Sequence, residues 1–253
     1  MGIMNSTAGT FGIGQLSALE TGWGSVGDQN LIWGAGFGSR YDNMVTYATP
    51  EFAGAKVIAQ YSFGTTDEEK DAVEGKPTTD RYAGIGATYD ANNFALRLIV
   101  DTINKKSGPG HLNVDDTVRV TLGGSYDFGV VKPFLAASYF KDGSVGKIFS
   151  HDDILANGAV YDGYGVMLGA NAPLFGGTLK ATAGYLKADE QNVAYAAAHD
   201  VNRFIVGAGY EYKLSKRTLV YADAGYGQDD VDNRTDGDKP AYFRAAFGMA
   251  HYF

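Results

Sequence analysis

The sequence predicts an all-β fold, an antiparallel transmembrane β-barrel of about twelve strands, and three observations carry that reading. Apolar and polar residues alternate with a period of two in one segment after another. The connections between these segments are short and long by turns. The 253 residues include 35 Gly, 17 Tyr and 14 Phe but only 2 Trp and 6 Pro, a glycine share well above the usual level of roughly 7%. Glycine costs about 1 kcal/mol relative to Ala at each interior helix position, so this composition suits repeated strands and turns. No window approaches the roughly 18 consecutive apolar residues of a helical span. A barrel strand needs only about ten residues with every second one facing lipid.

A weak strand pattern near 8–17 opens the series. Clearer ones follow near 40–48, 55–63, 81–90, 93–102, 116–127, 131–140, 160–171, 177–187, 200–213, 217–227 and 240–253. The alternation is plainest in the middle. Phe94, Leu96, Leu98 and Val100 share one face of their strand, with Arg97 and Asp101 on the other. In the next strand Val118, Val120, Leu122 and Tyr126 oppose Arg119, Thr121 and Ser125. This is the pleat of a strand written in sequence. Opposite faces that carry charge and glycine fit a water-filled lumen better than the packed interior of a soluble β-sandwich.

Thr49–Gly54, Asp90–Asn92, Phe128–Val130 and Leu214–Lys216 read as tight turns, and 64–80, 103–115, 141–159, 188–199 and 228–239 as long polar loops. Outer-membrane barrels have short turns at one end and long loops at the other. Acidic runs such as Asp67-Glu68-Glu69 and Asp229-Asp230-Val231-Asp232 read as solvated loop, with divalent-cation bridging to lipopolysaccharide as the sharper alternative. Aromatics near strand ends, among them Tyr61, Phe63, Tyr89, Tyr126, Phe128, Tyr185, Tyr210, Tyr212, Tyr226 and Phe253, would form girdles at the two membrane interfaces.

Other chemistry is hard to find. There is no Cys, hence no disulfide or thiol nucleophile, and the formal net charge of −8 argues against nucleic-acid binding. No phosphate loop or HExxH motif occurs, and the four His, at 111, 151, 199 and 251, are too dispersed for metal-ligand spacing. No metal or cofactor is expected. Met1–Asn5 shows neither a basic nor an apolar segment of a signal peptide.

The last strand, Ala241 to Phe253, places Phe243, Ala245, Phe247, Met249, His251 and Phe253 on one face and ends on an aromatic residue. It resembles the terminal strand of outer-membrane proteins, and Gly248–Phe253 resembles the ending of general porins of the β-proteobacterial Neisseria and Burkholderia type. Arg40–Phe52 and Leu214–Tyr221 are similar to internal segments of the same family. The resemblance implies a single barrel domain over 1–253, cut from a sixteen-stranded barrel that is usually a trimer. It also implies an outer-membrane location and passage of ions and small hydrophilic solutes. Membrane lipid, lipopolysaccharide and the barrel-assembly machinery would be partners, the last reading Phe253. Residues 8–17 resemble the family's fifth strand and 18–39, Gly-rich and holding Trp23 and Trp33, its inserted constriction loop. The remaining segments resemble strands six to sixteen. The first four strands, roughly 80–100 residues, and the leader would then be absent. Open strand edges are costly in a bilayer, so the expectation is that strands precede residue 8, the alternative being closure of a smaller, twelve-stranded barrel.

A channel acts through the radius and field of its bore. The pleat nominates as lumen residues Arg40, Asp42, Lys56, Gln60, Arg97, Asp101, Arg119, Lys180, Arg203, Arg217, Asp223 and Arg244, with Arg40 foremost because it sits in the family-like motif just after the loop. The inserted loop would face them with Glu20 and Asp28, creating a transverse field. Basic strand residues suggest anions and the acidic loops suggest mouths that attract cations; the resemblance leans mildly toward anion preference. Two alternatives remain. One is a non-conducting barrel that acts as an adhesin or receptor through its loops. The other is a barrel hydrolase, for which no Ser–His pair shares an outward strand face. Small residues such as Ala181 and Ala183 would permit close packing between copies.

Overall fold

The computed structural model describes residues 4–5, 29–33, 40–65, 79–106, 115–146, 159–191, 199–233 and 239–253. Its strands are β1 (Met4–Asn5), β2 (Arg40–Tyr41), β3 (Met44–Ala48), β4 (Ala55–Ser62), β5 (Arg81–Ala91), β6 (Phe94–Asn104) and β7 (Thr117–Tyr126). There follow β8 (Lys132–Gly143), β9 (Tyr161–Leu174), β10 (Gly177–Glu190), β11 (Val201–Lys213), β12 (Thr218–Val231) and β13 (Ala241–His251). Strands β3 to β13 form one 11-stranded antiparallel sheet in which each strand pairs with its neighbours in sequence, and β1 and β2 pair apart from it. Among the described residues β3 and β13 do not pair with each other.

The expected order of strands is present, with three differences. The segment 40–48 is not continuous: Asn43 has φ 50°, which turns the chain out of the ladder between β2 and β3. The expected strand at 8–17 lies outside the described residues. Several strands run further into the long-loop end than their alternation indicated, β10 to Glu190 and β12 to Val231. There the outward face changes from apolar to charged, at Asp162, Lys187 and Asp189, while the ladder continues through Lys187–Tyr164 and Asp189–Asp162. Hairpin pairing outlasts the lipid-facing pattern because backbone hydrogen bonds do not require lipid on the outside. In β8 a register shift between Phe140 and Gly143 marks a bulge, where Asp142 has φ 51°.

The outer surface is apolar. Ile85, Leu98, Val120, Leu122, Leu135, Leu168, Phe247 and Met249 are exposed on it, the reverse of a water-soluble protein. At the short-turn end it carries Tyr89, Phe94, Tyr126, Phe128, Phe175, Tyr212 and Phe253, and toward the long loops Phe63, Tyr139, Tyr164, Tyr185, Phe204, Tyr226 and Phe243. Phe204 and Tyr212 lie about 27 Å apart along β11 at ~3.4 Å per residue. A strand tilt of ~40° reduces this to about 21 Å of depth, close to the apolar band of roughly 25 Å that outer-membrane barrels present. The short turns are tight: Phe175 and Gly176 both have positive φ, 48° and 79°, the two-residue geometry that matches strand twist and normally needs glycine.

Candidate functional site

The face turned away from lipid carries the polar and charged side chains. In β4 Lys56, Ile58, Gln60 and Ser62 point inward, and the cross-strand pairs Lys56–Thr88, Gln60–Gly84 and Ser62–Tyr82 continue the row into β5. Arg97 and Asp101 of β6, Arg119 and Thr121 of β7, Lys132 of β8, Lys180 of β10, Arg203 of β11, Asp223 and Asp229 of β12 and Arg244 of β13 share this face. Antiparallel pairing places directly opposed residues on the same side, so the rows follow from register.

Register also decides what these charges meet. Arg119 lies opposite Asp101 and binds it through two bonds: Nε donates to Oδ1 at 3.0 Å and Nη2 to Oδ2 at 2.6 Å. The Tyr82 hydroxyl donates to the same carboxylate at 3.2 Å, and its ring stacks on Tyr41 at 4.7 Å. Arg203 lies opposite Asp229 and binds it the same way, at 2.7 and 2.8 Å. Arg97 Nη2 donates to Asp90 at 2.8 Å near the short-turn end, and Lys180 Nζ lies 3.0 Å from Glu211. The Arg119 and Arg203 pairs are buried, and their forked geometry gives short charge-assisted bonds. Opposite charges thus neutralise one another within the wall, strand to strand.

A further element lies on this wall. Residues Gln29–Ile32 form a 3-10 turn, and Ile32 and Trp33 are buried with Ala136, Phe140, Met167, Leu186, Val201 and Ile205 on the inner faces of β8 to β11. The Arg203 Nη1 donates to the Leu31 carbonyl at 2.9 Å, and the Ser138 hydroxyl to the Trp33 carbonyl at 3.4 Å. Of the segment 18–39, this turn and Trp33 are the described part. Glu20 and Asp28 lie outside the described residues.

The remaining nominated residues are scattered. Arg40 pairs by its backbone with Asn5 at the β1–β2 ladder. Asp42 is not on a strand face but in the bend after β2, where its carbonyl accepts from Ser62. Gln60 donates to Thr46 at 3.2 Å. Arg217 also leaves the inner row: it is exposed in the turn before β12, because that strand begins at Thr218 rather than at 217. Asp223 and Arg244 lie inward on adjacent strands. Phe253 is exposed on the outer side, edge-on to His251 at 5.0 Å.

Sequence reasoning passed over Asp229, read as solvated loop, which is buried against Arg203. Its signal was present in the continued alternation of Gly225, Gly227, Asp229 and Val231. It also missed Tyr82, Asp90 and Glu211 as partners of the wall cations, since pairing needs register. Among the described residues no group of three or more His, Asp or Glu is placed to hold a metal.

Comparisons with known proteins agree with this geometry. A family model described as Gram-negative porin matches residues 1–233. An outer membrane porin protein of Bordetella pertussis is 32% identical over 228 residues, covering 78% of this chain and 58% of that protein. Outer membrane porin protein 32 of Delftia acidovorans is 31% identical over 201 residues, covering 77% and 50%. Among solved structures, an anion-selective porin from Comamonas acidovorans superposes with a TM-score of 0.57 at 25% identity, covering 88% of this chain and 64% of that one. The chain thus spans about half the length of the curated relatives it matches.

Proposed function

Because this chain belongs to the Gram-negative porin family of the outer membrane, we propose that it is part of a passive, water-filled channel for ions and small hydrophilic solutes and catalyses no reaction. The observation that carries the proposal is the inside-out distribution of side chains: lipid-compatible residues outside, and Lys56, Arg97, Arg119, Lys180, Arg203 and Arg244 within. A row of charges is retained on an interior face only where water or a partner meets it.

In this reading residues 18–39 are the constriction loop. The seat of Gln29–Trp33 on the inner wall supports that assignment. Anion preference is the selectivity we propose. Arg97, Arg119, Lys180 and Arg203 are matched by acids, whereas Lys56 and Lys132 have no acidic partner among the described residues. The solved relative from Comamonas acidovorans is itself described as anion-selective. Arg40 is proposed to add to the field at the constriction, facing Glu20 and Asp28. Assembly as a homotrimer is supported by an outward row of alanines in direct register, Ala170, Ala181, Ala208, Ala224 and Ala245, which leaves room for close approach of a second copy. Lipopolysaccharide and the barrel-assembly machinery are the other proposed partners.

The test is single-channel recording of the refolded chain in a planar bilayer under a KCl gradient. Stable conductance steps with a reversal potential on the anion side are expected, and Arg40→Glu should move that potential toward cations. A folded, inserted protein without conductance would sink the channel reading.

A further inference from the structure

A peptide segment lying on a wall that faces water stays there only if something offsets the cost of ordering it and satisfies its backbone groups. For Gln29–Trp33 the structure shows what does so. Ile32 and Trp33 are 1% and 3% exposed. Ile32 enters a recess between β9 and β10 that exists because Gly165 and Gly184 have no side chains. A Cβ at Gly165 would overlap the Ile32 carbonyl oxygen, and one at Gly184 would come within 2.7 Å of Ile32 Cγ1. Such contacts force a shift of the turn or of the strand.

The second feature is Arg203. Two of its nitrogens are engaged by Asp229, and Nη1, held in the same plane, is aimed at the Leu31 carbonyl, 172 positions away in sequence. A strand-stapling role explains the first two bonds and leaves the third unexplained. β11 and β12 are already paired continuously from Val201–Val231 to Lys213–Leu219, so the ladder does not need the third donor. The carboxylate, an acceptor only, fixes the plane of the guanidinium.

We propose that Arg203, oriented by Asp229, and the Gly165–Gly184 recess together form a fastener that holds the 29–33 turn on the inner wall. These are positioning residues for the bore, and the proposal rests on the channel reading above. When the fastener is undone, the turn leaves the wall for part of the time and the current through the channel becomes unsteady.

The chain has no Cys, so a thiol at Leu31→Cys is the sole reporter of the turn's exposure, and the change leaves the Leu31 carbonyl in place. Its labelling by a membrane-impermeant maleimide and the single-channel current are measured in three backgrounds. Asp229→Asn removes the group that orients Arg203. The double exchange Arg203→Asp with Asp229→Arg keeps an ion pair between β11 and β12 but moves the guanidinium off the Leu31 carbonyl. Gly184→Val fills the recess. Each should raise the labelling rate roughly tenfold or more, the change that loss of one hydrogen bond to a charged donor makes in a local opening equilibrium, and each should increase open-channel noise. Heat-modifiable migration confirms that the sheet is intact. Should Asp229→Asn fail to fold, the exchange and Gly184→Val decide. Labelling and noise unchanged in a folded exchange variant and in Gly184→Val would overturn the proposal. Labelling that responds in a protein that never conducts would leave the fastener standing and remove the channel.

Discussion

Replacing Asp101 by Asn asks how the wall tolerates its own charges. Asp101 accepts two bonds from Arg119 and one from Tyr82, and the side chains of the ion pair are 0% and 5% exposed. Asn preserves the shape but offers one acceptor oxygen, and its amide group points donors at a guanidinium that is also a donor. Arg119 would be left buried without a counter-charge, a situation that typically costs about 3–5 kcal/mol. The exposed pair Lys239–Asp230, with side chains about half exposed, provides the comparison. Asp230→Asn should cost about 0–1 kcal/mol, since solvent screens that pair. Urea-induced unfolding of protein refolded in lipid vesicles, followed by tryptophan fluorescence, measures both. Replacing the buried pair with apolar residues of similar size, Asp101→Leu with Arg119→Met, should recover most of the loss, because the desolvation cost disappears together with the attraction. If Asp101→Asn and Asp230→Asn unfold at the same urea concentration, the wall is more hydrated than the burial of Asp101 implies. The argument that Arg119 and Asp101 neutralise one another out of reach of the water beside the wall would then be refuted.

Two more outcomes follow from the outer surface. Leu122 is half exposed on the outer face of β7, opposite Leu98 and Ala137. Leu122→Arg should cost about 2–4 kcal/mol if that position is near the bilayer midplane, in the same unfolding assay. An unaltered midpoint would mean that the face does not meet lipid. Deletion of Phe253 should lower the amount of heat-modifiable protein recovered in the outer membrane, and normal insertion without it would remove Phe253 as the assembly signal.

What was legible in the sequence is what the pleat dictates locally. Side chains at i and i+2 share a face whatever the rest of the chain does. The inward positions of Lys56, Arg97, Asp101, Arg119, Lys180 and Arg203, and the outward series Phe243 to Phe253, could therefore be read from alternation alone. Past the lipid band the outward face turns from apolar to charged, so the two faces no longer differ in polarity although burial still alternates. That is why the pattern puts Arg217 on a strand it precedes and Asp229 in a loop, and shows no break at Asn43.

Alternation along the chain is enough to make this a barrel-forming, lipid-facing sheet, because every second residue records which solvent its face meets. Which charges pair is set by the assembled sheet. Asp101 meets Arg119, and Asp229 meets Arg203, by strand register, and register is set by turns and neighbouring strands rather than by either residue. The seat of Gln29–Trp33 is further still from sequence. It depends on a recess shaped by two glycines and on an arginine far along the chain, which become neighbours only when β9, β10 and β11 lie side by side.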